Sequence, residues 1–384
     1  LAYTPGVAEP CNVIAKDKEA VYKYTAKGNL VAVVTDGTAV LGLGDIGPEA
    51  GLPVMEGKAA LFKQFGGVDA IPICLDTKDP EEIIKICKAI APGFGGINLE
   101  DISAPRCVQI ERTLIKELDI PVFHDDQHGT AIVVTAALIN ALKLVNKKAE
   151  DLTVTVSGLG AAGSSIIRMI HSLGVRNIYG FNSKGIVLRE DNEKYSFLLK
   201  ELTEITNLDN KRLTLAQAMA ESDVFIGVSA PKLLSKEMVS SMKKDSIVFA
   251  MANPEPEIPY DEAISAGAKV VGTGRSDYPN QINNVLAFPG LFRGALDSRA
   301  KKITEEMKMA AVKALAQLAK EDVPEYVSRA YSGQQFKYGR DYLIPKPFDR
   351  RALLFIAPAV AEAAMKSGVA RIQIDLKQYR EKLE

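Results

Sequence analysis

Ser157-Gly158-Leu159-Gly160-Ala161-Ala162-Gly163 is the stretch on which the fold turns. It sets the spacing G-x-G-x-x-G directly after an apolar, β-branched run at 152–157 and directly before a helical pattern at 164–173. In that context the glycines read as a dinucleotide-binding βα turn. Gly158 permits the tight turn, Gly160 lets the backbone approach a pyrophosphate, and Gly163 lets helix and strand pack closely. The helix start supplies free N–H groups and a partial positive charge for phosphates, so Gly158, Gly160, Ala161, Ala162 and Gly163 are all candidate cofactor contacts. The next strand, 177–181, should end on an acid that binds the adenosine ribose and repels a 2′-phosphate. Asn182 stands there instead, followed by Ser183 and Lys184. An amide still bonds a hydroxyl but lacks the repelling charge; with no arginine beside Asn182, the pattern favours NAD and leaves NADP open.

Working outward, apolar runs at 224–228, 247–250 and 269–272 continue a Rossmann-like series. An earlier set of strands is predicted at 30–35, 70–75, 96–99 and 120–123, with helices at 80–89 and 105–117 between them. Alternating strands and amphipathic helices imply an α/β protein built on parallel sheets. A chain of 384 residues exceeds what one core usually organises, so two domains are expected. Residues 130–145 are apolar on nearly every face and predict a buried central helix joining the halves. The boundary is placed at Gly129, giving an N-terminal α/β domain over 1–128 and a Rossmann-like nucleotide domain over 129–384. After Pro289 the pattern is strongly helical, notably 298–319 and 350–366, with helices that could pack back on the first domain.

Composition narrows the function class. Lys and Arg number 47 against 48 Asp and Glu, so no global field steers the chain onto nucleic acid or an anionic membrane. The longest apolar stretch, 130–142, is broken by Asn140 and is shorter than the roughly 20 residues that span a bilayer. Cys11, Cys74, Cys87 and Cys107 are widely spaced with no Cys-x-x-Cys pair, which reads as reduced thiols of a cytoplasmic protein. The sequence begins at Leu1 and carries nothing that looks like a targeting segment.

Glu100-Asp101 follows the strand at 96–99, and Asp125-Asp126 follows the strand at 120–123. In open α/β sheets ligands bind beyond the C-terminal strand ends, so both pairs can face one crevice. Carboxylates converging to about 4 Å repel by on the order of 4 kcal/mol at an effective dielectric of 20, which a bound cation reverses. All-oxygen ligation favours Mg²⁺ or Mn²⁺. Acids after a strand also cap the following helix, and Asp126 could do only that. A zinc hydrolase using His124 and His128 is the rival; with three histidines in the chain, these two read as supporting or packing residues.

The motifs then match a family. Tyr3-Thr4-Pro5-Gly6-Val7-Ala8, Thr35-Asp36-Gly37, Leu41-Gly42-Leu43-Gly44-Asp45, Leu52-Pro53-Val54 leading to Gly57-Lys58, and the stretch from Phe123 to Ala131 resemble blocks of malic enzyme in its compact bacterial form. So do Met251-Ala252-Asn253-Pro254, Gln281-Ile282-Asn283-Asn284 and Phe288-Pro289-Gly290, and the likeness spans about residues 1–365. The resemblance implies metal ligands Glu100, Asp101 and Asp126, general base Lys58, general acid Tyr3, and Asp125 as the partner orienting Lys58. Asn253 and Asn283 would contact the carboxylates of malate, Asn253 also touching the cofactor. It implies oxidation of (S)-malate by NAD(P) with decarboxylation to pyruvate, in a homodimer or higher oligomer. Lys58, near a cation and partly desolvated, would have a depressed pKa. One departure stands out: larger members carry an arginine where this chain has Ala39, so another group must meet that substrate carboxylate. A malolactic enzyme or a metal-dependent oxaloacetate decarboxylase would use the same site. A dinucleotide-sensing binding protein would need neither the lysine, the tyrosine nor four carboxylates.

Overall fold

The structure, a computed structural model, describes residues 3–40 and 42–384; Leu41, which opens the Leu41–Asp45 block, lies outside them. Two parallel sheets carry the chain. The first takes β1 (Leu30–Thr35), β2 (Asp69–Cys74), β3 (Gly96–Leu99) and β4 (Val122–His124) in the order β2-β1-β3-β4. The second takes β5 (Thr153–Ser157), β6 (Asn177–Asn182), β7 (Gly185–Ile186), β8 (Val224–Gly227), β9 (Ile247–Ala250) and β10 (Val270–Thr273) in the order β10-β9-β8-β5-β6-β7. Every expected strand is present, with ends that differ by no more than two residues. Pro121 has no N–H to give a ladder, so β4 pairs from Val122 and carries His124 inside the strand. The antiparallel hairpin β6–β7, closed over Ser183 and Lys184, was not anticipated.

The largest correction concerns the central helix. It runs Asp125–Val145, starting five residues before the predicted 130, directly after β4. Asp125 and Asp126 are therefore its first turn, where acids favour the positive end of the helix dipole. Gly129 makes this possible: a Cβ there would lie 1.9 Å from Asp125 Oδ1. The nucleotide helix likewise starts early, Ala161–Leu173 rather than at 164. The predicted helix 298–319 resolves into Glu305–Leu318, whose start is set by the Thr304 hydroxyl accepting the Met307 N–H.

By length and composition one helix among the described residues, this same Asp125–Val145, could cross a membrane, yet 67% of its most apolar stretch is buried in the protein. It is the axis of the main core, which joins Val31 and Phe123 of the first sheet to Val154 and Ile226 of the second. The C-terminal helices close over both halves. Phe288 and Phe292, from the helix Phe288–Asp297, pack 4.7 Å and 5.2 Å from the Phe62 ring, on the first sheet's helix Pro48–Gly66. On the central helix, Asn140 Nδ2 donates to the Ala316 and Leu343 carbonyls at 2.9 Å and 2.8 Å.

Glu111, on the helix Arg106–Glu117, ties these layers together beneath the site. Its carboxylate accepts the His124 N–H at 2.8 Å and meets His128 Nε2 at 2.9 Å, while His128 Nδ1 faces Lys308 Nζ at 3.1 Å. Burial alone would raise its carboxyl, but His128 and Lys308 outweigh burial and hold it down at about 2. A depressed carboxyl stabilises the fold above its unfolded value and loses that contribution as pH falls through the folded one. Glu111→Gln is expected to cost on the order of 2–3 kcal/mol at neutral pH. The difference from wild type should shrink as pH drops below 4.5 toward about 2. Urea unfolding at stepped pH reads it, and a difference independent of pH would refute the assignment.

Candidate active site

Lys58 comes from the buried face of the helix Pro48–Gly66, which it shares with Gly51, Met55 and Phe62. It is 7% exposed, in keeping with the partly desolvated lysine that the resemblance implies. Its Nζ donates to Asp125 Oδ2 at 2.6 Å, lies 2.9 Å from Glu100 Oε1, and stands 4.2 Å over the Phe288 ring. Glu100 is anchored from below by Asn98 Nδ2 at 2.8 Å. Asp101, at a left-handed φ of 53°, turns its N–H onto Asp126 Oδ2 at 2.8 Å, which knits the ends of β3 and β4 together. Glu100, Asp101 and Asp126 each present a carboxylate oxygen within 4.8 Å of the others.

The expected depression of the Lys58 pKa is not what the protein's own charges produce. Burial lowers it, but Asp125, Glu100 and Asp126 more than compensate and hold the ammonium well above the ordinary lysine range. The carboxylates go up as well. Burial pushes Asp125 to about 7, with Lys58 pulling down and Glu100 pushing up, and burial raises Glu100 to about 7 and Asp126 to about 6. At 2.6 Å the Lys58–Asp125 contact has the length of a charge-assisted hydrogen bond. Asp125, Glu100 and Asp126 about one ammonium, with Asp101 close to two of them, leave an excess of negative charge that a divalent cation would neutralise, and the donor set is all oxygen. His124, fully buried and lowered by that burial to about 4, has Nδ1 3.8 Å from Asp126, and His128 is engaged with Glu111. Neither imidazole joins the carboxylate triad.

Above this floor opens a cleft of about 550 Å³ lined by Asp101, Asp126, Gly160, Ala161, Asn253 and Asn283, among others. It brings two members of the acidic triad, Asp101 and Asp126, and the dinucleotide turn to one space, with Glu100 buried next to them. The glycines of that turn divide by role. A Cβ on Gly163 would meet the Gly158 carbonyl oxygen at 1.8 Å, and one on Gly158, at φ +96°, the Val228 carbonyl at 2.4 Å. Gly160 has nothing within 4 Å, the open space a pyrophosphate would need. Asn182, at the end of β6, accepts the Lys184 N–H at 2.8 Å through its Oδ1. Asn283 Oδ1 accepts the Val285 N–H at 2.9 Å, which leaves the amide NH₂ for a ligand.

Two expected participants stand apart. Tyr3 is 80% exposed and is not part of the cleft lining. Ala39 does line the cleft, and among the described residues the lining carries no lysine or arginine. Arg106 is one layer behind, its Nη2 held by Asp36 at 2.9 Å, Thr38 at 2.9 Å and Ser103 at 3.1 Å. Arg106, Asn98 and Glu111 went unnoticed in the sequence because a charged or amide residue on an amphipathic helix or strand carries no mark of its partner.

Fold and site together define a two-sheet, nicotinamide-nucleotide-dependent oxidoreductase with an acidic cluster in its cleft. Residues 1–81 match the malic enzyme N-terminal domain and 127–328 the malic enzyme NAD-binding domain. A bifunctional malic/malolactic enzyme of Bacillus subtilis is 56% identical over 382 residues, covering 100% of this chain and 90% of the relative. An NAD-dependent malic enzyme of Geobacillus stearothermophilus is 56% identical over 96% of this chain and 74% of its own length. NADP-dependent relatives match too, the Escherichia coli one at 50% identity over 51% of its length. The crystal structure of malic enzyme from Pyrococcus horikoshii superposes with a TM-score of 0.92 at 48% identity, over 100% of this chain and 87% of that one. The chain belongs to the malic enzyme family.

Gly160→Ala separates ligand from scaffold. With no protein atom to strike, it should leave unfolding free energy within about 0.5 kcal/mol of wild type. The methyl occupies the pyrophosphate's space, so nucleotide affinity should fall about tenfold or more in a fluorescence titration. Undiminished affinity in that variant would place the phosphates elsewhere.

Proposed function

We propose that the chain converts (S)-malate to pyruvate and CO₂, passing the C2 hydride to a nicotinamide nucleotide, with Mg²⁺ or Mn²⁺ at Glu100, Asp101 and Asp126. The observation that carries this reading is that Asp101 and Asp126 of the carboxylate triad open into one cleft with the dinucleotide turn, while Glu100, the third member, is buried and paired with Lys58. In it, residues 1–128 hold metal and substrate and 129–384 hold the nucleotide. When bound, the cation polarises the C2 oxygen and the nicotinamide accepts the hydride. Lys58 would take the C2 hydroxyl proton in its neutral form, which the positive charge of the bound cation would favour over the ammonium, with Asp125 holding the nitrogen in place. Asn253 and Asn283 orient the substrate carboxylates through amide N–H groups, in a wall without the arginine of larger relatives. After CO₂ leaves, Tyr3 delivers a proton to C3 of enolpyruvate.

Tyr3 has to be brought to the cleft by assembly, because in a single chain it stands in solvent. The helix Ala8–Lys16 that follows it has no buried residue, which supports a homodimer or higher oligomer in which this segment finds a surface. Four free cysteines support a cytoplasmic setting. NAD is the nucleotide this reading favours, since Lys184 is the lone cation beside Asn182 and is exposed; NADP is its alternative.

Reduced-nucleotide absorbance with L-malate and Mn²⁺, in parallel with NAD and NADP, tests substrate, reaction and cofactor together. Pyruvate with reduced nucleotide supports the reading. Lactate without net reduction would make the chain a malolactic enzyme, and decarboxylation of oxaloacetate without nucleotide would leave only the metal half. Asp126→Ala should abolish Mn²⁺-dependent turnover yet keep dinucleotide binding, and normal turnover would remove Asp126 from the metal site. Lys58→Ala should lose malate oxidation by on the order of 10²–10⁴-fold with a smaller change in Mn²⁺ affinity. Unchanged oxidation there would rule out Lys58 as base.

A further inference from the structure

Four residues beyond Asn253 lies a carboxylate that this reaction scheme leaves idle. Glu257 is 0% exposed. One of its oxygens accepts the Ser229 N–H at 2.9 Å and the Ser229 hydroxyl at 3.2 Å; the other accepts the Ala252 N–H at 3.0 Å. Ser229 follows the end of β8 and Ala252 the end of β9. Ser157 Oγ, at the end of β5, donates to Ser229 Oγ at 3.0 Å. Glu257 therefore ties the C-terminal ends of β8 and β9 together directly and that of β5 through Ser229, along the edge a dinucleotide crosses. Gly227 leaves room for it, since a Cβ at that position would lie 2.3 Å from Glu257 Cδ.

Ser229, Ala252 and Asn253 line the cleft on the side of β5 away from β6. The adenosine half belongs to β6, so this wall faces the nicotinamide half. No lysine or arginine pairs with Glu257 among the described residues, and its partners are N–H and O–H donors. Burial pushes its carboxyl above the usual range, while the Ser229 and Ala252 N–H groups pull the other way and favour the anion. A charge in such surroundings acts with less screening than one in water.

We propose that Glu257 is a positioning residue for the nicotinamide end of the nucleotide, and that its charge, unneutralised by any cation, favours the oxidised, positively charged ring over the neutral reduced one. The proposal rests on the nucleotide assignment above but not on malate as substrate. Glu257→Gln removes the charge and sets an NH₂ against one of two N–H groups that need an acceptor. Glu257→Asp keeps the charge.

The test is binding of NADH, NAD and ADP-ribose to wild type and both variants. NADH is followed by its own fluorescence, which a chain without tryptophan does not obscure, and the others by competition. In Glu257→Gln, NAD affinity should fall about tenfold relative to NADH. ADP-ribose affinity, which lacks the nicotinamide, should hold, and Glu257→Asp should keep the wild-type ratio of NAD to NADH affinity. An unchanged ratio in Glu257→Gln, a parallel loss of ADP-ribose binding, or a collapsed ratio in Glu257→Asp would overturn the proposal. A wild-type chain that binds none of the three ligands would overturn the nucleotide assignment as well.

Discussion

The 2.6 Å contact between Lys58 and Asp125 is the point at which the architecture is pinned. Taking two charges out of water costs several kcal/mol per ion, and the cost is recovered only where geometry is good and the remaining polar atoms are satisfied. Here the ammonium also meets Glu100 and the face of Phe288, and Asp125 sits in the positive first turn of the central helix. Four parts of the chain are registered by that one nitrogen: the helix Pro48–Gly66, the end of β3, the start of Asp125–Val145 and the C-terminal layer at Phe288. Removing either charge would leave the other buried and uncompensated.

The same cluster is locally unfavourable as it stands. Glu100, Asp125 and Asp126 are each pushed toward neutrality by burial, and one lysine does not balance them. Conflicts of this kind between local energetics and fold concentrate at functional sites, where a ligand relieves them. Below the cluster the balance is the reverse. Glu111, held low by His128 and Lys308, locks the backbone of His124 and with it the direction in which Asp125 and Asp126 project. Arg106 plays the corresponding part for Asp36 and Thr38. Strained charge in the cleft is thus carried on satisfied charge one layer down.

How much of this was legible in the sequence depends on whether the signal is local. Glycine spacing has a local cause, because Gly158 and Gly163 answer to backbone atoms only a few ångströms away, and the nucleotide turn was readable for that reason. Strand runs were readable from β-branched periodicity, with errors of a residue or two where Pro121 or a cap intervened. The start of the central helix was not, because nothing local tells a strand-end acid from a first-turn acid until Gly129 is seen to make room for the Asp125 side chain. The charge environment of Lys58 was not legible either, since the carboxylates that raise its pKa in the protein alone, Glu100 and Asp125, lie 42 and 67 positions away.

By itself the sequence determined the α/β class, the dinucleotide turn at Gly158–Gly163, the two acidic pairs after strands, and the family to which those motifs belong. Each is a matter of residue type and short spacing, which chain connectivity alone enforces. Only the tertiary structure decided that Glu100, Asp101 and Asp126 converge within 4.8 Å, that Asp125 turns to Lys58 instead, and that Tyr3 stays outside the cleft. Those outcomes depend on the packing of two sheets about one buried helix, and so on contacts whose partners lie far apart along the chain.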